Sequence, residues 1–111
     1  MTALSETAKQ AILNPSNIKS LSIVSAWELA IKISLKKMKF AGKVSGFIRL
    51  VENSGFTILP IKPAHLSALE TLPMIHRDPF DRLLVATALV EKMTLITADE
   101  NIAHYEVSKI R

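Results

Sequence analysis

The sequence contains no cysteine, so neither a disulfide framework nor a thiolate metal site can form. With only three glycines, it offers neither a glycine-rich phosphate loop nor the nucleophile elbow of a serine hydrolase. Charged residues interrupt every apolar stretch, which excludes a membrane-spanning helix, and the first residues lack the basic and apolar regions of a secretory signal. These absences predict a cytoplasmic protein whose available metal ligands are carboxylates and histidines.

The size and charge of the chain restrict its organisation and its partners. A length of 111 residues, 49% of them hydrophobic, predicts a single compact domain over residues 1–111. The net charge is +4, and the basic residues cluster between positions 32 and 43. A basic surface attracts RNA or DNA, although a solvated helix face is the commoner explanation of such a cluster.

Apolar periodicity and turn residues predict strands that alternate with helices. Ser5 is the expected N-cap of the first helix, and the longest amphipathic pattern places Trp27 on an apolar face. The predicted helical segments are 4–13, 25–38, 44–51, 63–72, 78–92 and a turn at 101–105, and the predicted strands are 21–24, 56–59, 94–97 and 107–110. This alternation predicts an α/β fold, with a parallel sheet flanked by helices on both faces.

Three carboxylates are predicted to lie at the same edge of the sheet. Glu28 lies in the first turn of the helix after the first strand, Asp99 follows the third strand, and Asp81 lies in the first turn of the helix between them. The ends of parallel strands meet at one edge of a sheet, where ligands bind. Clustered carboxylates repel one another unless a cation neutralises them, and oxygen ligands suit Mg²⁺ or Mn²⁺.

Each acidic residue also has a purely structural interpretation. Ser25 and Glu28 have the spacing of a capping box, an explanation of equal weight to metal binding. Asp78 is favoured as an N-cap, and the helix dipole favours Asp81 in the first turn. Asp99 has the spacing of a cap for the helical turn that follows it.

The histidines and arginines carry weaker signals. His65, His76 and His104 lack the spacing of a helical metal pair, which disfavours a zinc site and predicts surface or packing residues. Arg77 and Arg82 flank the acidic turn, where they can contact a phosphate or pair with the neighbouring aspartates.

Three segments, taken together and in this order, resemble the PIN domain, specifically the VapC-like toxins of type II toxin–antitoxin systems. They are SAWELAIK at 25–32, LP at 72–73 with HRDPFDRLL at 76–84, and LITAD at 95–99. The resemblance implies a Mg²⁺- or Mn²⁺-dependent ribonuclease that is inhibited by a cognate antitoxin and is commonly a homodimer.

The resemblance also implies a role for each acidic residue. Glu28, Asp81 and Asp99 match the family's catalytic carboxylates, which hold one or two metal ions that polarise an RNA phosphate and activate a water. The neighbours in the motif would support the metal site or contact the substrate phosphate; these are Asp78, Arg77 and Arg82.

The chain departs from the family pattern at its start. Similar PIN domains open with a central strand that carries an Asp, and no such strand precedes the helix that begins near Ser5. The comparison therefore predicts an N-terminally truncated PIN-like domain, without its first strand, in which RNA cleavage is impaired. The alternative is a catalytically inactive PIN remnant that acts as a dimerisation or antitoxin-binding module.

Overall fold

The computed structural model describes residues 5–75 and 78–96, together with the backbone of residues 109–110. The helices of this described part are α1 (Glu6–Leu13), α2 (Ile23–Ser34), α3 (Lys43–Asn53), α4 (Pro63–Thr71) and α5 (Pro79–Glu91). Its strands are β1 (Ser20–Ser22), β2 (Thr57–Leu59), β3 (Leu95–Ile96) and β4 (Lys109–Ile110). The predicted helical turn at 101–105 lies outside the described residues.

The described strands form two parallel pairs. In β1 and β2, Leu21 lies opposite Ile58, and in β3 and β4, Leu95 lies opposite Lys109. The parallel pairing and the alternation with helices confirm the predicted α/β class.

The chain divides into two compact units, and each strand pair lies in one of them. The middle unit is Ile18–Ile61, with β1, α2, α3 and β2. The terminal unit combines Met1–Asn17 with Lys62–Arg111, and it contains α1, α4, α5, β3 and β4. The single-domain prediction stays a prediction.

The junction between β1 and α2 corrects the prediction for the middle unit. We expected a strand over 21–24 and a cap at Ser25, but the Ser22 hydroxyl accepts a hydrogen bond from the Val24 N–H at 3.1 Å, and α2 starts at Ile23. The β-branched Ile23 and Val24 favoured a strand in the sequence. A hydroxyl that satisfies a helix N–H outweighs that preference.

The predicted position of Trp27 on a buried face is also wrong, because 52% of its surface is exposed. The buried residues of α2 are instead the smaller Val24 and Ala26. Apolar residues occur almost all around this helix, so their spacing does not select one buried face. The helix ends at Ser34 rather than at residue 38.

The core of the terminal unit lies around α5. Its buried residues cover more than one face of the helix; they are Arg82, Leu83, Val85, Ala86, Thr87 and Ala88. Val85 and Ala88 contact Leu72, just after α4, and Leu95 of β3. Complete burial of a valine side chain such as Val85 contributes about 1.5–3 kcal/mol. At the other end of the sequence, Ser5 caps α1 as predicted, with its hydroxyl 3.1 Å from the Ala8 nitrogen.

Candidate functional site

The start of α5 is built by Asp78. Its Oδ1 accepts hydrogen bonds from the backbone N–H of Phe80 at 2.9 Å and of Asp81 at 3.4 Å, and Pro79 occupies the first helical position. Pro79 has no N–H to satisfy there and its fixed φ suits the helix. The capping role that the sequence favoured for Asp78 is therefore confirmed.

Asp81 lies in the first turn of α5 and is partly buried. Its backbone N–H donates to the Asp78 carboxylate at 3.4 Å, so the capped turn holds the backbone from which its side chain extends. The partial positive charge at a helix N-terminus stabilises a carboxylate there. Asp81 is thus a charged group on a rigid element, as a metal ligand requires.

Arg82, the next residue, is buried with 9% of its surface exposed. Its Nη1 donates to the Pro73 carbonyl at 2.9 Å and its Nη2 donates to the Leu72 carbonyl at 3.3 Å. Both carbonyls belong to the segment that immediately follows α4. The guanidinium therefore fastens the α4–α5 connection to the first turn of α5, beside Asp81. Its predicted contact with a substrate phosphate stays a prediction.

Glu28 lies in the middle unit, in the second turn of α2 rather than in the first. Because Ser22 is the N-cap, the predicted capping box between Ser25 and Glu28 is wrong. The Glu28 carboxylate instead lies 3.3 Å from the Lys32 ammonium, one turn further along the helix. A partly exposed pair of this kind contributes only about 0.3–0.5 kcal/mol, so a cation can replace the lysine at small cost.

The sequence did not reveal a cluster of His65, Lys62 and Glu91 between α4 and α5, in which His65 is the buried member. His65 is fully buried; its Nδ1 accepts the backbone N–H of Lys62 at 3.0 Å, and its Nε2 lies 2.7 Å from Oε2 of Glu91. The acceptor role of Nδ1 places the ring proton of neutral His65 on Nε2, which donates to Glu91. The available signal was the position of His65 three residues after the N-cap Lys62, where capping boxes carry Glu or Gln.

The pKa of Glu91 is lowered from its ordinary value of 4.5. The largest cause is the hydrogen bond from His65; burial opposes the shift, and the charge of Lys62, whose Nζ lies 3.8 Å away, adds to it. The cluster therefore favours an ionised Glu91. Both ring nitrogens of His65 have partners within the cluster, so of the two predicted roles, surface or packing residue, the structure gives His65 the packing role.

The structure brings together only part of the predicted site. Asp78, Asp81 and Arg82 share the first turn of α5, whereas Glu28 belongs to the other unit. Asp99 and Arg77 lie outside the described residues, as do His76 and His104. Within residues 5–75 and 78–96, no three His, Asp or Glu side chains are grouped so that they could hold a metal ion.

The described residues combine an α/β fold with an acidic, capped start of α5. The sequence matches the PIN domain over residues 2–108, and the chain belongs to the PIN domain family. PIN domains are generally metal-dependent nucleases that use divalent ions, and membership indicates an RNA substrate. No curated protein matches the sequence significantly. Among the helices of the described residues, none is long and apolar enough to cross a membrane.

Proposed function

We propose that this protein is a Mg²⁺- or Mn²⁺-dependent ribonuclease of the VapC toxin type, which acts in the cytoplasm as a homodimer and is inhibited by a cognate antitoxin. The observation that carries the proposal is the first turn of α5, where a capped backbone holds Asp81 in a chain of the PIN family. Families of this kind cleave nucleic acid with carboxylate-bound metal, and this turn supplies the carboxylate on a fixed backbone.

The donor chemistry fits the implied metal. Glu28, Asp81 and Asp99 provide only carboxylate oxygens, which Mg²⁺ and Mn²⁺ prefer. When bound, the ion would polarise an RNA phosphate and lower the pKa of a water molecule. The carboxylate of Glu28 lies 3.3 Å from the partly exposed Lys32 ammonium, which a bound metal ion would displace.

The residues around Asp81 would act by position. Asp78 fixes the backbone of the turn, and Arg82 fixes the connection that precedes it. We assign Arg82 a positioning role on these contacts, and we propose Arg77 as the residue that contacts the substrate phosphate.

Metal-dependent cleavage tests the proposal. Asp81→Asn keeps the size of the side chain but removes a charged ligand, so Mn²⁺-dependent cleavage of a labelled RNA should fall by at least about 10- to 100-fold, the loss seen when a partner of a metal ligand is removed. The matched control is Glu70→Gln, on the exposed surface of α4, which should cleave as the parent does. Equal cleavage by both variants, or no Mn²⁺-dependent cleavage by the parent protein, would contradict the proposal.

A second candidate function is an inactive PIN remnant that works by association. Large apolar side chains are unusually exposed in the described residues; Ile18 is 88% exposed, Leu13 76% and Met74 74%. Such surface favours dimerisation or the binding of an antitoxin.

Light scattering after size exclusion tests this candidate. We expect a dimer that Ile18→Lys weakens, while Asn17→Lys, which adds the same charge at the neighbouring exposed position, leaves the dimer intact. A parent protein that stays monomeric at high concentration would exclude the candidate.

A further inference from the structure

The positive charge of the chain is concentrated in the middle unit. The segment Ile18–Ile61 contains seven Lys and Arg residues and two Glu residues, so that unit has a net charge of +5. The whole chain has a net charge of +4. The terminal unit therefore has a net charge of −1. Between Glu28 and Glu52 the sequence has six basic residues and no acidic one. A field of one sign over so short a segment attracts a polyanion.

Most of this charge lies in the connection between α2 and α3. We call residues 35–43 the lysine turn; its cations are Lys36, Lys37, Lys39 and Lys43, and all four are exposed. In the described part of the chain none of the four lies within 4.0 Å of a carboxylate, in contrast to Lys32, which pairs with Glu28. Their ammonium groups therefore face water without a neutralising partner from that part of the chain.

The lysine turn has a defined conformation. The rings of Phe40 and Phe47 pack edge to face with 5.8 Å between their centroids, and the N–H of Lys43 donates to the Phe40 carbonyl at 2.9 Å. A Cβ on Gly42 would lie 3.0 Å from the Cα of Gly46, so this close approach favours glycine. These contacts order the backbone that carries the lysines, and an ordered backbone loses less entropy when a ligand binds.

Two lysines of the turn occupy backbone conformations that favour glycine. Lys36 has φ 59° and Lys43 has φ 57°. Lys36 follows the C-cap of α2, where its N–H donates to Ile33 and the next N–H donates to Lys32, the pattern of a helix end that usually carries glycine. A non-glycine residue there costs about 1–2 kcal/mol. The chain accepts this cost at exposed positions where the side chain contributes charge and no core contact.

The lysine turn lies at one end of the helix that carries Glu28. Lys32 follows Glu28 by one helical turn, and α2 ends at Ser34, about 9 Å of helix beyond Glu28 and just before the lysine turn. A chain of phosphates held at the lysine turn can therefore extend along α2, past Lys32, to Glu28. This continuity lies entirely within the middle unit.

We propose that the lysine turn binds the phosphate backbone of single-stranded RNA and directs the strand along α2 to Glu28. The proposal rests on the proposed function and specifies how its substrate is held. Ammonium groups act as point charges on phosphates without reading the base, so this contact is independent of sequence and sensitive to salt.

The chain offers a matched pair of variants. Lys92 also has positive φ, 55°, at the end of α5, it is exposed, and Met93 donates to Ala88 in the same helix-end pattern. Lys36→Gly and Lys92→Gly therefore remove the same charge and relieve the same backbone cost, so both should raise the midpoint of thermal unfolding. Only Lys36→Gly should weaken RNA binding.

Binding is measured by fluorescence anisotropy of a labelled RNA of mixed sequence in EDTA, with Asp81→Asn as the background so that no strand is cleaved. We expect Lys36→Gly to raise the Kd about fivefold at about 0.1 M salt and to reduce the slope of log K against log salt by about 0.7, the effect of one lost phosphate contact. Lys37→Gln with Lys39→Gln should have about twice that effect on the slope, with Lys9→Gln and Lys92→Gln as the control pair.

If Lys36→Gly and Lys92→Gly weaken RNA binding equally, the proposal is overturned, because the loss of net charge alone would then explain the effect. Poly-glutamate that binds as tightly as RNA, with the same response to Lys36→Gly, would overturn RNA as the partner. The binding assay contains EDTA and therefore does not depend on metal-dependent cleavage. If the protein binds RNA through these lysines but does not cleave RNA when Mn²⁺ is supplied, the proposed nuclease function is refuted and the proposed RNA contact is not.

Discussion

Arg82 is a buried cation whose described hydrogen bonds go to backbone carbonyls. Its two Nη groups donate to the carbonyls of Leu72 and Pro73 just after α4, and the Pro73 carbonyl also accepts the N–H of Ile75 at 2.9 Å. These hydrogen bonds also restrain the first turn of α5, in which the neighbouring Asp81 lies. An exposed guanidinium often binds a phosphate, whereas the buried guanidinium of Arg82 stabilises the backbone next to the candidate site.

Arg82→Ala should lower the free energy of unfolding by about 2–3 kcal/mol, because it removes a buried side chain together with its two charge-assisted hydrogen bonds. Urea unfolding followed by circular dichroism measures the loss. Arg49→Ala, on an exposed position of α3, is the control and should change stability by less than about 0.5 kcal/mol. Weakened RNA binding by Arg82→Ala without loss of stability would instead indicate a phosphate contact.

Among the elements, those bounded by proline or by a side-chain cap could be predicted from the sequence. Pro63 and Asp78–Pro79 marked the starts of α4 and α5 correctly, because proline at the first helical position and an aspartate cap act locally. The start of α2 was misplaced because Ile23 and Val24 suit a strand and a helix alike. The hydrogen bond to the Ser22 hydroxyl sets the start of α2, and the pattern of hydrophobic residues contains no information about such a cap.

The contact between α4 and α5 makes stability depend on acid pH. The pKa of Glu91 is lower in the folded protein than its ordinary value of 4.5, so the stabilisation is fully present above that value and is lost as the pH falls through the folded pKa. The difference in unfolding free energy between the parent protein and Glu91→Gln should therefore shrink between about pH 5 and pH 3. Glu70→Gln is the control, and a difference that stays constant with pH would contradict the mechanism.

At the scale of the whole molecule, the sequence predicts which residue types would form the candidate site, and that set of ligands stays a prediction; it carries no information on how they would assemble. Sequence order indicated Glu28 and Asp81 because predicted helices begin near those positions, and Asp99 because it follows a predicted strand. The structure gives Asp81 and Glu28 their local settings in separate units. Which carboxylates meet depends on contacts between residues far apart in sequence, and local patterns carry no information about them.

Divalent metal should stabilise the folded protein if its carboxylates bind it. A metal concentration about 100-fold above Kd adds about 2.7 kcal/mol to the free energy of unfolding, so Mn²⁺ should raise the thermal midpoint and EDTA should reverse the change. Asp81→Asn should reduce this rise, whereas Glu70→Gln should preserve it. Equal rises in the two variants would show that the ions bind elsewhere.

The half-exposed side chain of Trp27 determines how such measurements can be read. It is the single tryptophan of the chain, and 52% of its surface already meets water. Its indole emission should therefore change little when the chain unfolds, which makes it a poor monitor of stability. The same indole lies next in sequence to Glu28, on the helix that leads to the lysine turn. Quenching or a spectral shift of this one fluorophore would therefore report an ion or an RNA strand that binds at α2.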